Sequence, residues 1–374
     1  MNKINIFWGS DEIFSEATNG LTDFNYLTDV LEHIRKEKLV IAGHAPDKPD
    51  APMKVENLIV HTDDYGGINE WAMLGFTNNI LQNLRVDIHN LWLCNPPKQI
   101  YQDIRRNFSE ETIDEHPAIY PEIELDALKK MATEFDSHVI GQPHVIKTAL
   151  SAIYGLRNPS RKRPVTLLFL GDSGIGKTAT AKFISECIGK EMVRIQFSMQ
   201  QTTTAYQYIF GAEHGEDSLA RALIRRSSNV VLLDEFDKVP SAFYNAFYQM
   251  FDEGMFVDSN YSVDVSKCII ICTTNYTTEE EAEKNLGAPI YSRFSKVIKF
   301  VPISVENKLV IAEKCYESVL GDVQEEDRAL IGDNNILSFF KGHIRNGSYP
   351  NIRMLKNDIE DAINFEILKK RNIL

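Results

Sequence analysis

Gly171-Asp172-Ser173-Gly174-Ile175-Gly176-Lys177-Thr178 joins an apolar run, residues 165–170, to residues 178–184, whose apolar positions share one helical face. Strand, glycine-rich loop and helix in that order make a phosphate cradle. The glycines let successive backbone N–H groups turn inward, and the helix N-terminus adds its partial positive charge. Asp172, Ser173, Gly174, Ile175 and Gly176 supply the wall of the cradle. Lys177 is placed to reach the β- and γ-phosphates, and the Thr178 hydroxyl to hold Mg²⁺. Further on, the apolar run 230–233 ends in Asp234-Glu235. Asp234 is expected to hold Mg²⁺ through water, and Glu235 to polarise the water that attacks the γ-phosphate. The two motifs together point to hydrolysis more than passive binding, with ATP and Mg²⁺ as the expected substrate and cofactor.

Such groups need a sheet to present them and helices to cover it. A chain of 374 residues, 43% hydrophobic, can bury two or three cores. Three parts are expected: a small α/β domain over 1–120, a parallel-sheet nucleotide domain over 121–301, and a small helical domain over 302–374. In the first part, strands are predicted at 4–8, 39–42, 58–61 and 90–93, with helices over 24–35 and 68–84 between them. No run is long enough to span a membrane, and Met1 to Asp11 lacks the charged and apolar regions of a secretion signal. The five cysteines have no metal-like spacing and an odd count, so no disulfide framework is expected, and a cytoplasmic location is.

Charge is lopsided. Residues 1–137 carry 24 acidic and 12 basic side chains, nearly all of the chain's net −13. An acidic front third repels phosphates, which argues against non-specific nucleic-acid binding there. It is either a solvated surface or a docking face for a basic partner. His61, Asp63 and Asp64 follow one predicted strand, and His44 and Asp47 follow another. Their spacing matches no metal site, and both groups read as solvated loops. The basic cluster Arg161-Lys162-Arg163 reads the same way.

From about Glu122 to Leu374 the chain resembles the Clp family of AAA+ chaperone ATPases. The resemblance runs through Val139-Ile140-Gly141-Gln142, the phosphate loop, Asp234-Glu235, Thr273-Thr274-Asn275, Pro289-Ile290-Tyr291-Ser292-Arg293-Phe294 and Asn351-Ile352-Arg353-Met354-Leu355-Lys356. It implies that Ile140 and Gly141 lie beside the adenine, and that Asn275 orients the attacking water or contacts the γ-phosphate. It implies that Arg293 is a finger reaching a neighbouring subunit's γ-phosphate, and that Arg353 reaches the β/γ-phosphates from the lid. A homo-oligomeric ring, a hexamer, follows from that division of labour.

One departure stands out. The aromatic pore loop that Clp unfoldases carry after the position of Phe210-Gly211-Ala212 is shortened, and no Ile-Gly-Phe-type peptidase-docking loop is present. The expected activity is therefore ATP-driven remodelling or regulation of a protein partner docked by the front domain, more than processive threading. The alternatives are a nucleic-acid-associated ATPase, such as a loader or defence-system component, and a nucleotide-gated switch for an effector. No base-reading module or basic stripe supports the first.

Overall fold

The computed structural model describes residues 1–40, 51–199, 202–211, 215–331 and 335–374. Among them, two five-stranded parallel sheets follow one another and lead into a group of helices, an α/β architecture with a helical C-terminal part. The first sheet holds β1 (Lys3–Phe7), β2 (Asn25–Tyr26), β3 (Met53–Val60), β4 (Val86–Cys94) and β5 (Ile113–His116) in the order β2-β3-β4-β1-β5. Every pairing in it is parallel.

Four local expectations for this sheet change, the first at residues 25–26, which form β2 instead of lying in the helix expected over 24–35. Residues 39–40 close the helix Leu27–Val40 instead of opening a strand, and residues 41 and 42, with His44 and Asp47, lie outside the described residues. The apolar helix expected over 68–84 is two pieces, Glu70–Leu74 and Thr77–Leu81. Gly75 stands between them at φ −125° and ψ 44°, where the helical ladder cannot continue. Finally, β5 was not expected. Its sequence Ile-Asp-Glu-His has no apolar run, and as an edge strand paired only to β1 it needs none.

The second sheet uses β6 (Val165–Leu170), β7 (Val193–Gln196) and β8 (Val230–Asp234). A hairpin of β9 (Met255–Val257) and β10 (Ser262–Asp264) intervenes before β11 (Ile269–Thr273) and β12 (Lys296–Lys299). Its order is β12-β6-β11-β8-β7, again all parallel. Side chains alternate between two cores, as the pleat requires. Leu167, Phe169, Leu232 and Ile271 face one core with the helices Leu125–His138, Pro143–Ile153 and Lys177–Ile188. Leu168, Leu170, Leu233 and Cys272 face the other, which is rich in aromatic rings.

The C-terminal helices are Val305–Asp322, Glu325–Ile331, Ile336–Arg345 and Ile352–Lys370. The last buries Ile352, Leu355, Ile359, Ile363 and Ile367, the three-and-four spacing of a single apolar stripe. Residues 332–334, between Glu325–Ile331 and Ile336–Arg345, are outside the description. Among the described residues no helix is long and apolar enough to cross a membrane.

Candidate functional site

The chain leaves β6 toward β7, β8 and β11 on one side and returns to place β12 on the other. In such a sheet the crevice at the carboxyl ends beside the reversal is where ligands sit. Four sequence candidates meet there: the loop after β6, Asp234 and Glu235 after β8, and Asn275 after β11. The junctions are tied by backbone bonds, with Gly171 N–H donating to Tyr276 O at 2.7 Å and Thr274 N–H to Phe169 O at 3.0 Å.

The loop takes the curl its glycines allow. Gly174 has φ +81° and Gly176 φ +110°, and a Cβ on Gly174 would overlap Asn351 Oδ1. At the base of the loop Lys177 is buried, and its Nζ donates to the carbonyls of Gly171 and, at 2.7 Å, Asp172. Burial, only partly offset by Asp172, Asp234, Asp237 and Glu235, pulls the ammonium down to about 8. A buried cation that has only its own loop's carbonyls as acceptors lacks the anion that would hold its charge. Asp237 Oδ1 is buried with no hydrogen-bond partner nearby. A cradle of curled backbone, an under-compensated lysine and adjoining carboxylates fit a polyphosphate with its divalent cation.

Asp234 is almost fully engaged. Thr273 Oγ1 donates to its Oδ1 at 2.5 Å, and Arg194 donates Nε at 3.0 Å and Nη2 at 2.5 Å to its Oδ2. The next residue, Glu235, sits at φ 55° and ψ 47°, left-handed backbone that costs a non-glycine residue roughly 1–3 kcal/mol. Its N–H donates to the same Thr273 hydroxyl at 3.0 Å. One threonine on β11 therefore fixes both acidic residues of β8. Sequence reasoning passed over Thr273 and Arg194, because neither a strand threonine nor an arginine on an edge strand carries a local signal.

The remaining candidates divide. Gly141 takes φ +83° beside Asn307, and Ile140 is half-buried. Their turn is pinned by Gln142, a residue not singled out from sequence. It is fully buried, donates to Ile175 O at 3.3 Å and Val301 O at 2.7 Å, and accepts from Val301 N–H at 3.1 Å. The turn, the phosphate loop and the entry to the last helices are thereby one unit. Asn351 caps the helix Ile352–Lys370 by accepting from Arg353 N–H at 2.8 Å, and its side chain lies against Gly174, so Arg353 is exposed in the first turn of a helix that abuts the loop. Asn275 is exposed at the crevice. Arg293 is elsewhere: it donates Nε to Asp252 at 2.7 Å and Nη1 to Pro289 O, with its guanidinium 4.2 Å from the Tyr248 ring centre. None of these contacts is with the phosphate loop.

A ring cluster links the two halves of this constellation. Phe236, next to Glu235, is 5.2 Å from Tyr244, 5.1 Å from Phe247 and 6.3 Å from Phe294, which adjoins Arg293. Phe236→Ala is expected to cost about 3–5 kcal/mol in urea unfolding, the range for a buried aromatic truncation. A loss below about 1 kcal/mol would mean the cluster does not hold this corner.

In the first sheet, no group of three or more His, Cys, Asp or Glu side chains among the described residues is arranged to hold a metal. His61 and Asp64 are joined locally, the His61 N–H donating to Asp64 Oδ2 at 2.7 Å. A cavity of about 820 Å³, lined by Trp8, Tyr120, Arg226, Asn229 and Lys267, lies at the amino ends of β8 and β11, away from the crevice.

Residues 162–317 match the family model described as AAA domain (Cdc48 subfamily). The chaperone protein ClpB of Chlamydia muridarum (strain MoPn / Nigg) is 27% identical over 288 residues, which covers 66% of this chain and 33% of the relative. That of Malacoplasma penetrans (strain HF-2) is 27% identical over 281 residues, 67% of this chain and 40% of the relative. That of Staphylococcus aureus (strain N315) is 29% identical over 229 residues, 52% of this chain and 26% of the relative. The chain spans well under half the length of these curated relatives.

Proposed function

From an AAA+ ATPase module that resembles those of the Clp chaperones, we propose that this chain hydrolyses ATP in a ring of its own copies. The cycle would remodel or regulate a protein partner recruited by residues 1–120. The single observation that carries the hydrolytic reading is the meeting of Lys177, Asp234 and Glu235 at the carboxyl ends of the strands, with the two acidic residues fixed by the shared Thr273. In this reading the backbone of 172–176 and Lys177 bind the β- and γ-phosphates, and Ile140 and Gly141 flank the adenine. Glu235 takes the proton of the attacking water, which Asn275 orients. Arg353, at the start of the lid's last helix, senses the phosphates and couples them to the lid angle. Mg²⁺, held by Thr178 and through water by Asp234, would neutralise charge developing on the β/γ-oxygens. The division into a recognition part (1–120), an ATPase part (121–301) and a lid (302–374) belongs to the same reading.

The ring is supported by where Arg293 sits. Its partners are Asp252, Pro289 and Tyr248 of its own chain, so a role at a γ-phosphate requires a neighbour's site. Phosphate release and mass photometry on the purified chain test the whole reading. Turnover that rises with assembly under ATP and Mg²⁺ is expected; full turnover by a lone protomer contradicts it. Robust ATP-dependent unfolding of generic tagged proteins would contradict the non-processive version.

Arg194 makes a separate prediction. A guanidinium on Asp234 repels a divalent cation that the same carboxylate holds through water, so the Arg194 pair weakens metal binding. Arg194→Ala is expected to raise Mn²⁺ affinity in the presence of ADP on the order of tenfold, a conservative share of the Coulomb repulsion at contact distance. Electron paramagnetic resonance titration reads this directly, and unchanged affinity would make the pair merely structural.

A further inference from the structure

The front sheet has a crevice of its own. Its chain crosses from β1 to β2 and β3 on one side, then from β4 to β5 on the other, so the reversal lies between β1 and β4. Ligands of open parallel sheets bind at that point, outside the carboxyl ends. Here those ends form one bonded unit. Asn95, at φ 47°, donates Nδ2 to Gly9 O at 2.9 Å and to Thr62 Oγ1 at 3.0 Å, and accepts from Gly9 N–H at 2.9 Å. Thr62 donates to Asp11 Oδ1 at 3.2 Å. Asp11 is thereby held through Oδ1, which leaves Oδ2 for another partner, and Asp63 directly follows Thr62 in the chain.

The crevice is already filled, by the ATPase module. The helix Leu219–Ile224 presents Arg221, and Arg225 follows one turn later at its C-cap. Arg225 Nε lies 3.0 Å from Asp11 Oδ2, and its Nη2 lies 2.8 Å from Asp63 Oδ2. Arg221 Nη2 pairs with Asp63 Oδ1. Two guanidinium groups thus clasp one carboxylate from both sides. The backbones of Gly66 and Gly215 meet alongside, so close that a Cβ on either would collide with the other.

The fit of this internal occupant is incomplete. Arg221 is 3% exposed, yet its Nε has no hydrogen-bond partner, and the buried hydroxyls of Tyr65 and Tyr261 have none either. Arg225 Nε, close as it is to Asp11, has no well-aligned hydrogen bond either, and Tyr261 adjoins Arg221, Arg225 and Asp63, so these unsatisfied atoms gather at one junction. Buried polar groups left unpaired by protein are costly, so this seat leaves free energy to be gained by a better-matched occupant. The Asp63 side chain, by contrast, remains 71% exposed and open to a competitor.

We propose that this acidic crevice is the partner-recognition site of the front sheet, that it takes a polypeptide segment bearing two arginines one helical turn apart, and that Arg221 and Arg225 occupy it as an internal stand-in. The proposal rests on the reading that residues 1–120 recruit a protein. Arginine is favoured over lysine because its planar fork presents several N–H groups at fixed angles, and in the stand-in one guanidinium, that of Arg225, reaches both Asp11 and Asp63. The acidic front third steers a cationic segment inward. Displacing the stand-in removes the polar anchor of the helix Leu219–Ile224, whose Leu219, Leu223 and Ile224 stay in the aromatic core and whose chain continues into β8 with Asp234 and Glu235 at its end. Partner arrival and the hydrolytic residues are thereby joined through a short stretch of chain.

The test uses a fluorescein-labelled peptide with the sequence of residues 216–228, read by anisotropy against the full chain without nucleotide. The stand-in is present at high effective concentration, so the unaltered chain should bind the peptide weakly. The Arg221→Ala/Arg225→Ala chain should bind it at least tenfold tighter, and adding Asp63→Asn should abolish that gain. A peptide with alanine at the positions of Arg221 and Arg225, keeping its third arginine at Arg226, should not bind. Equal binding of the two peptides, or indifference to Asp63→Asn, overturns the proposal. Because Asp63 is a surface residue, Asp63→Asn alone keeps the question open to a second measurement. Hydrogen exchange of residues 219–225 should rise in it, and unchanged exchange counts against the latch. Neither readout uses ATP turnover, so a failure here leaves the ATPase reading standing, and the reverse holds.

Discussion

Arg293→Ala is expected to lower ATP turnover by about three orders of magnitude while leaving nucleotide affinity within a few-fold, the lower end of what an arginine finger contributes. The physical reason is geometric. In its own chain Arg293 is held by Asp252, Pro289 O and the face of Tyr248, and these contacts leave it partly exposed at the surface instead of in the phosphate crevice. Truncation removes a surface ion pair, which contributes little to folding. The bond from Thr166 Oγ1 to the Arg293 carbonyl, 2.8 Å, survives because it uses backbone. A large kinetic loss with little change in stability therefore isolates a role in a neighbour's site. Mixing provides the sharper form of the test. Arg293→Ala chains keep a complete Glu235, and Glu235→Gln chains keep a complete Arg293, so co-assembly should restore part of the turnover that each lacks alone. Undiminished turnover in Arg293→Ala, or no recovery on mixing, would remove the inter-subunit assignment.

How much of this was legible before the structure depended on whether a residue's signal was local. The phosphate loop was, because strand, glycines and helix adjoin in sequence, and β6 with the helix Lys177–Ile188 forms where the pattern indicates. The burial of β8 and β11 on both faces was equally plain in their apolar runs. Residues that act across the sheet left no such mark. Thr273 contributes by joining neighbouring strands, and Gln142 by bridging to Ile175 and Val301, far away in sequence. Arg194 is on a short edge strand that was not anticipated at all. Asp63 offers the clearest case. From sequence it was one of several polar residues in a loop, and only the packing of Leu219–Ile224 against the front sheet gives it two guanidinium partners. The failure at 68–84 has a local origin too. Apolar content there marks burial but not period, so the position of Gly75 and the cap at Asn69 decided the outcome.

Glu235→Gln is expected to retain ATP and to reduce turnover by roughly 10²–10⁴-fold, the usual contribution of a positioned general base. The choice of glutamine matters because of the backbone. Glu235 is held left-handed, with its N–H on Thr273 Oγ1 and the adjoining Phe236 ring locked in an aromatic cluster, so the conformation is imposed by its surroundings. Glutamine keeps the volume and leaves those bonds intact, removing only the ability to accept a proton. Lys177→Ala is the necessary contrast. It deletes the buried cation that faces Asp172 and Asp234, and should weaken ATP binding itself. Single-turnover phosphate release and fluorescent-nucleotide titration on the two variants separate the roles. Loss of binding in Glu235→Gln would mean the left-handed turn had rearranged and the variant reports on folding. Intact binding with near-normal hydrolysis would mean the base lies elsewhere, and Asp237, whose Oδ1 is buried without a partner, would be the next carboxylate to remove.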